Sequence, residues 1–167
     1  NFGTARFAPM NDMPYILFLP TYTADAWYHK KLPADLLAKD LETVLGESRA
    51  FALQEYALAL LKGNTLDPTA REAVIKKIAR YTGLSPEFIG NANLRISLGR
   101  FTKELLRDER HTIGRLDGRF KGFDLDAAGE TNEYDPSNAA IRGPFPAALN
   151  SYLRTELKYK TDTPYAI

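Results

Sequence analysis

"LGESRAF" (residues 45–51) lies inside the longer run "PADLLAKDLETVLGESRAFALQEYALALLKGN", and two folds compete for it. Gly46-Glu47-Ser48 opens like a G-x-S-x-G nucleophile elbow, where serine sits on a strained turn between a buried strand and a helix. The fifth residue is Ala50, not glycine. "LETVL" passes as a short strand only in isolation. Leu37, Leu41, Val44, Ser48, Phe51 and Leu58 recur at spacings near three and four, which marks one stripe of a helix. In that stripe Ser48 is a small residue at a packed position. An elbow hydrolase also orders its triad serine, acid, histidine, and only His111 lies downstream of Ser48. The stretch reads as one long helix, or two with a bend near Gly46, and it sets the fold class as mainly α.

Working outward, Asn11 or Asp12 caps a helix over "NDMPYILFL", with Pro14 in its first turn. Pro20 is expected to start a second helix, "PTYTADAWYHKKL". Gly63-Asn64 ends the long run with left-handed capping chemistry. Asp67 caps the next helix, with Pro68 at its first position and Gly83 as its stop. Ala70, Val74, Ile78 and Tyr81 form its stripe. Ser85 caps a short helix. "NLRISLGRFTKELLRD" reads as another, with Leu94, Leu98, Phe101 and Leu105 on one side. Beyond it, the glycine- and aspartate-rich stretch from Glu109 predicts short strands, with a small hairpin near 111–123 around Asp117-Gly118. "DPSNAAIRGPFPAALNSYLRTEL" returns to helix, broken at Gly143-Pro144.

The chain has 167 residues, 44% of them hydrophobic, enough for one domain with a core. There are 22 basic and 21 acidic residues, so no basic excess points to nucleic acid or to an anionic membrane. No segment reaches a transmembrane length. With no cysteine, disulfides, thiolate metal sites and cysteine nucleophiles are excluded, while the compartment stays open. "NFGTARFAP" reads as a strand remnant at 2–7, and both ends suggest a piece cut from a longer protein.

The candidate sites are few. His29 sits at a helix end and His111 at a helix-to-strand junction; both read as structural. Asp124, Asp126 and Gly129 match calcium-loop positions one, three and six. Ala128 and Asp135, at five and twelve, do not, so the loop reads as acidic surface with no metal. No phosphate-binding glycine motif is present, so no cofactor is expected. Tyr22, Trp27 and Tyr28 are large aromatics that suit either a core or an apolar ligand pocket.

Several blocks in order resemble one family. "NDMPYILFLPTYTADAWYHKKLPADL", "FALQEYALALLKGNTL", "ARYTGLSPEFIGNANLRI", "RFTKELLRD", "GRLDGRF", "DAAGE" and "DPSNAAIRGPFPAALNSYLRTELKY" are similar to a segment of bacterial serine carboxypeptidase-like proteins. The resemblance covers nearly the whole chain. It implies an α/β hydrolase parent that releases C-terminal amino acids through a serine, aspartate and histidine triad. This chain corresponds to the helical cap inserted between the halves of the catalytic sheet, with residues 1–8 as a remnant of the connection to it. The family's nucleophile, in a G-E-S-Y type motif, lies upstream and its aspartate and histidine downstream, so no catalytic residue is expected here and the isolated chain is expected to be inactive.

On that reading the partners are the parent's catalytic core and a peptide substrate, and Tyr22, Trp27 and Tyr28 are the expected substrate-facing set. The surface that meets the core becomes exposed in the isolated chain, so self-association is expected, with "NFGTARF" pairing across an edge. Two alternatives remain: a free-standing helical binding or scaffolding domain, and a small hydrolase using Ser48.

Overall fold

Pro20 does not break the first helix. The structure is a computed structural model that describes residues 6–161, and in it α1 runs Met13–Tyr28 with Pro20 inside. One buried stripe crosses the proline: Ile16, Leu19, Tyr22, Thr23 and Ala26. An interior proline costs a helix about 3 kcal/mol. Burying side chains such as Leu19 and Tyr22 returns about 1.5–3 kcal/mol each, so packing overrides the local penalty. Asp12 occupies the cap position without a side-chain cap, and the Met13 N–H reaches Asn11 Oδ1 at 3.3 Å. The strand expected at 2–7 falls mainly outside the described residues, and Arg6 and Phe7 are not in a strand.

The long run from Pro33 splits. α2 (Ala34–Leu37) is a single turn. Asp40 then accepts from the Thr43 N–H at 2.9 Å and starts α3 (Leu41–Phe51). The helix widens into a π segment (Ala52–Tyr56) and resumes as α4 (Ala57–Lys62). The irregularity therefore lies after Phe51, not at Gly46. Val44, Ser48 and Phe51 are buried as expected, but Leu58, next in the α stripe, is 55% exposed. Tyr56, Ala59 and Leu60 are buried instead. A π turn adds one residue to the helix, which moves the stripe by one position.

α5 (Pro68–Thr82) begins as its sequence says, with the Asp67 carboxylate accepting from the Ala70 N–H at 3.0 Å. It stops at Gly83, whose φ of 71° is left-handed. Val74 and Ile78 are buried; Tyr81 is half-buried and Ala70 exposed. α6 (Pro86–Asn91) follows, capped by Ser85. The helix expected from Asn93 starts late, as α7 (Leu98–Glu104) behind the Ser97 cap. Residues 93–97 are not helical, and Asn93 and Leu94 have φ of 50° and 64°. Leu94 and Ile96 are nevertheless buried.

β1 (His111–Ile113) pairs antiparallel with β2 (Lys121–Phe123), His111 opposite Phe123 and Ile113 opposite Lys121. The register centres the intervening loop on Asp117, as expected. Asp135 caps α8 (Pro136–Arg142), and Gly143 separates it from α9 (Pro144–Thr155). α1 packs against α3, the π segment and α5, and the core extends from Ile16 to Ile113. The protein is thus mainly α with a small hairpin. None of the residues of α9 is buried.

The phase shift makes a prediction. Deleting exposed Gln54 turns the π segment into an ordinary α turn and leaves Tyr56 and Leu60 facing the core, lowering Tm by about 2–4 °C. Deleting Gly46 rotates Ser48 and Phe51 out of the core, and Tm falls by more than about 10 °C. Equal losses in thermal melts followed by circular dichroism would show that the π segment sets no phase.

Candidate functional site

Ser48 is enclosed. It lies in α3 with no exposed surface, and its Oγ is 2.7 Å from Thr23 Oγ1. Thr23 spends its own hydroxyl proton on the Leu19 carbonyl at 2.9 Å, so Ser48 is the donor between them. Neither histidine is near enough to act as its base: His29 Nε2 contacts the Gly118 carbonyl at 2.7 Å, and His111 Nδ1 the Glu109 carbonyl at 2.8 Å. A nucleophile needs a base within hydrogen-bond reach. Ser48 is a packing residue that ties α3 to α1.

The structure separates the three aromatics. Tyr22 is 1% exposed and stacks on Phe101 with ring centroids 4.1 Å apart. Its phenol donates to the Ile96 carbonyl at 3.2 Å, and burial raises its pKa well above the ordinary tyrosine value. Tyr22 is therefore a core residue and reaches no surface. Trp27 is half-buried beneath the Lys30 ammonium, which lies 4.3 Å from its ring, and its indole N–H is buried without an acceptor. Tyr28 is 49% exposed, edge-on to His29.

Tyr28 lies at one of the places where polar groups from separate elements converge, the C-terminal turn of α1 against the hairpin loop 114–120, where Arg119 is its neighbour. His29 donates to the loop's Gly118 carbonyl, since a carbonyl can only accept. Asp25, one turn earlier, lies against Gly118 itself: a Cβ there would come within 2.2 Å of Asp25 Oδ1. Among the described residues no hydrogen-bond donor reaches that carboxylate. Burial, reinforced by the neighbouring Asp117 carboxylate, raises its pKa to about 6. Asp117 moves the other way, to about 2, because Arg119 clamps it from Nε and Nη2 and from its backbone N–H. Two neighbouring carboxyl groups are thus held in different protonation states near pH 5, the arrangement that assigns proton donor and fixed anion in a site. Asp25 was not singled out by sequence; its spacing of four from His29, which puts both on one helix face, was the available signal.

The acidic loop holds a different surprise. Asp124 and Lys103 are both fully buried, and Lys103 Nζ donates to Asp124 Oδ1 and to the Asp126 carbonyl, each at 2.6 Å, and to Glu133 at 3.4 Å. The lysine ammonium is gathered by oxygen atoms of the loop that resembles a calcium loop in sequence. Burial opposes its charge, but the hydrogen bonds to Asp124 and Glu133 outweigh that and hold its pKa above the ordinary lysine value. Among the described residues no group of three or more histidine, aspartate or glutamate side chains is placed to hold a metal ion. No helix among them is long and apolar enough to cross a membrane.

Comparison with known proteins adds no relative: no family model, no curated protein and no solved structure matches the chain.

Two outcomes check these assignments. Ser48→Ala removes a buried hydrogen bond while Thr23 keeps its own to the Leu19 carbonyl, costing about 0.5–1.5 kcal/mol in urea unfolding, and the unsubstituted 167-residue chain takes up no fluorophosphonate label. Lys103→Met leaves Asp124 buried and unpaired and costs about 3–5 kcal/mol, most of which returns in Lys103→Met/Asp124→Leu. A double variant no more stable than the single one would show that the pair is not the clasp of this loop.

Proposed function

We propose that this chain is the helical cap of a serine carboxypeptidase-like hydrolase, lying over a catalytic core that carries the serine, the aspartate and the histidine. The resemblance across the quoted blocks supports this reading, and a mainly helical body with no competent nucleophile is compatible with it. The observation that carries it is α9. Phe145, Leu149 and Tyr152 are 69%, 57% and 53% exposed and fall at i, i+4 and i+7, one face of a helix. A twelve-residue helix is marginal alone, and its stability comes from burying such a face. A cap that packs on another body needs a surface of this kind. In that role the cap excludes water from the triad and gates access to it.

Trp27 and Tyr28, on the last turn of α1, are the proposed contacts for the peptide residue being released. Tyr22 holds α1 in place from beneath. The reading frame on both sides of this segment tests the proposal. A glycine-flanked serine upstream, with aspartate and histidine downstream, supports it. A frame without them overturns it and leaves the second reading, a helical binding domain that uses the same α9 face for a partner.

The α9 face also predicts behaviour in isolation. The chain is expected to self-associate in sedimentation velocity, and Leu149→Asp to make it monomeric with a loss of helicity confined to α9. In the full-length enzyme Trp27→Ala raises KM for peptide substrates several-fold with little change in kcat. A drop in stability with unaltered kinetics would return Trp27 to the core.

A further inference from the structure

The junction of α1 with the hairpin loop is built from two grips on one glycine. His29 holds the Gly118 carbonyl, and the Asp25 carboxyl lies flat against the Gly118 Cα. The two side chains are one helical turn apart. Gly118 has no positive φ, so the backbone does not require glycine there; the close approach of Asp25 does. We propose that Asp25 and His29 form a proton-operated latch, holding the loop tip at Gly118 while Asp25 is protonated and releasing it when Asp25 ionises.

The groups around Asp25 decide which residue is the switch. His29 needs Nε2–H to hold the carbonyl, and both its cation and one neutral tautomer carry that hydrogen. Cationic or in that tautomer, His29 keeps its grip on the carbonyl. Asp25 has no equivalent safeguard. From the loop it faces Asp117, which stays ionised under the Arg119 clamp, while that clamp engages the Arg119 charge. From α1 itself it faces the neutral Tyr22 phenol and His29. Neutral Asp25 fits this surrounding. The anion is desolvated, without a donor and beside a second anion, and it gains by letting water in.

The movement is confined to the tip. On the N-terminal side of the loop, the Arg115 N–H is bound to Asp135 at 3.1 Å and the Leu116 N–H to Ser137 at 3.0 Å. On its other side, Gly114 N–H closes on the Phe120 carbonyl at 2.9 Å. Residues 117–119 can leave α1 while those ties persist. Exposed Leu116 and Phe120 flank the tip, and Tyr28 lies beside it, so release alters the surface next to Tyr28. The latch belongs to this chain whatever its parent, so its test does not depend on the cap reading.

The sign follows from linkage. Asp25 binds its proton more tightly folded than unfolded, so its contribution to stability is full below about pH 4 and is lost as pH rises to about 6. The experiment is an NMR titration of the 167-residue chain from pH 4.5 to 8, reading amide shifts of residues 117–119 and the through-space contacts of Gly118 with Asp25 and His29. The amides are expected to shift with a common midpoint near 6. Above it, the open form should gain about tenfold per pH unit and the Gly118 contacts should be lost. Asp25→Asn should stay latched to pH 8, and Gly118→Ala should be open throughout, with α3 and α5 unchanged in both. A tip indifferent to pH in the parent sequence, or a transition that survives in Asp25→Asn, overturns the latch.

Discussion

Residues 93–97 cross the interior without helical hydrogen bonds, and the rest of the fold is arranged to make that possible. A non-helical segment in a core carries carbonyl groups that must find donors. Two buried phenols provide them. Tyr56 donates to the Leu94 carbonyl at 2.5 Å and Tyr22 to the Ile96 carbonyl at 3.2 Å. Between them Arg95 points outward and is bound by Asp12 through two hydrogen bonds of 2.7 Å. The crossing is thus fixed at three successive residues, from α1, from the π segment and from the start of α1. That explains why α1 continues through Pro20, since a break there would detach Tyr22 from the half that carries Asp12. It also explains the π segment, since if the same residues continued as an ordinary α-helix Tyr56 would turn away from Leu94.

Much of this was legible, and the division follows a physical line. Asp67, Ser85, Gly83 and the Gly143-Pro144 break act through their own backbone neighbours, so local chemistry identifies them. The hairpin centred on Asp117 is of the same kind. What escaped reading depends on partners distant in sequence. Pro20 inside α1 rests on packing against α3 and α5. The one-residue slip after Phe51 rests on Leu94, 38 positions beyond Tyr56. The aromatic at Tyr22 reads alike as core or pocket until its partners Ile96 and Phe101 are known. Asp124 and Lys103 look like surface charges because each is buried only by virtue of the other.

The structure also divides by how firmly its parts are held. From α1 to β1 the interior is apolar, with buried hydroxyl, phenol and ammonium groups drawn into hydrogen bonds. Lys103 extends that order into the acidic loop by meeting Asp124, Asp126 and Glu133 at once. A buried ion pair adds little stability over an apolar pair, but leaving either charge alone is costly, so it specifies a single placement of the loop. Past Asp135 the character changes: α8 retains buried Pro136 and Ser137 at its start, and α9 buries nothing.

A packed body with a free helical face on α9 and a proton-sensitive loop tip is mechanically suited to a gate. The body must not deform, or movement at one edge would be lost in the interior; close-packed cores with few alternative arrangements meet that need. The edges must be weaker than the body, and they are weak for different reasons. α9 lacks a buried surface, so a docking body controls its order. The tip at Gly118 has contacts but a conditional charge, so pH controls it. The two controls act through different elements: α9 through the body that docks on it, the latch through the tip beside Tyr28. A single helix, α1, carries Asp25, Trp27 and Tyr28 on its last turn, His29 at its C-cap and Tyr22 in the core, so whatever fixes the crossing at 93–97 also fixes the platform on which the latch works.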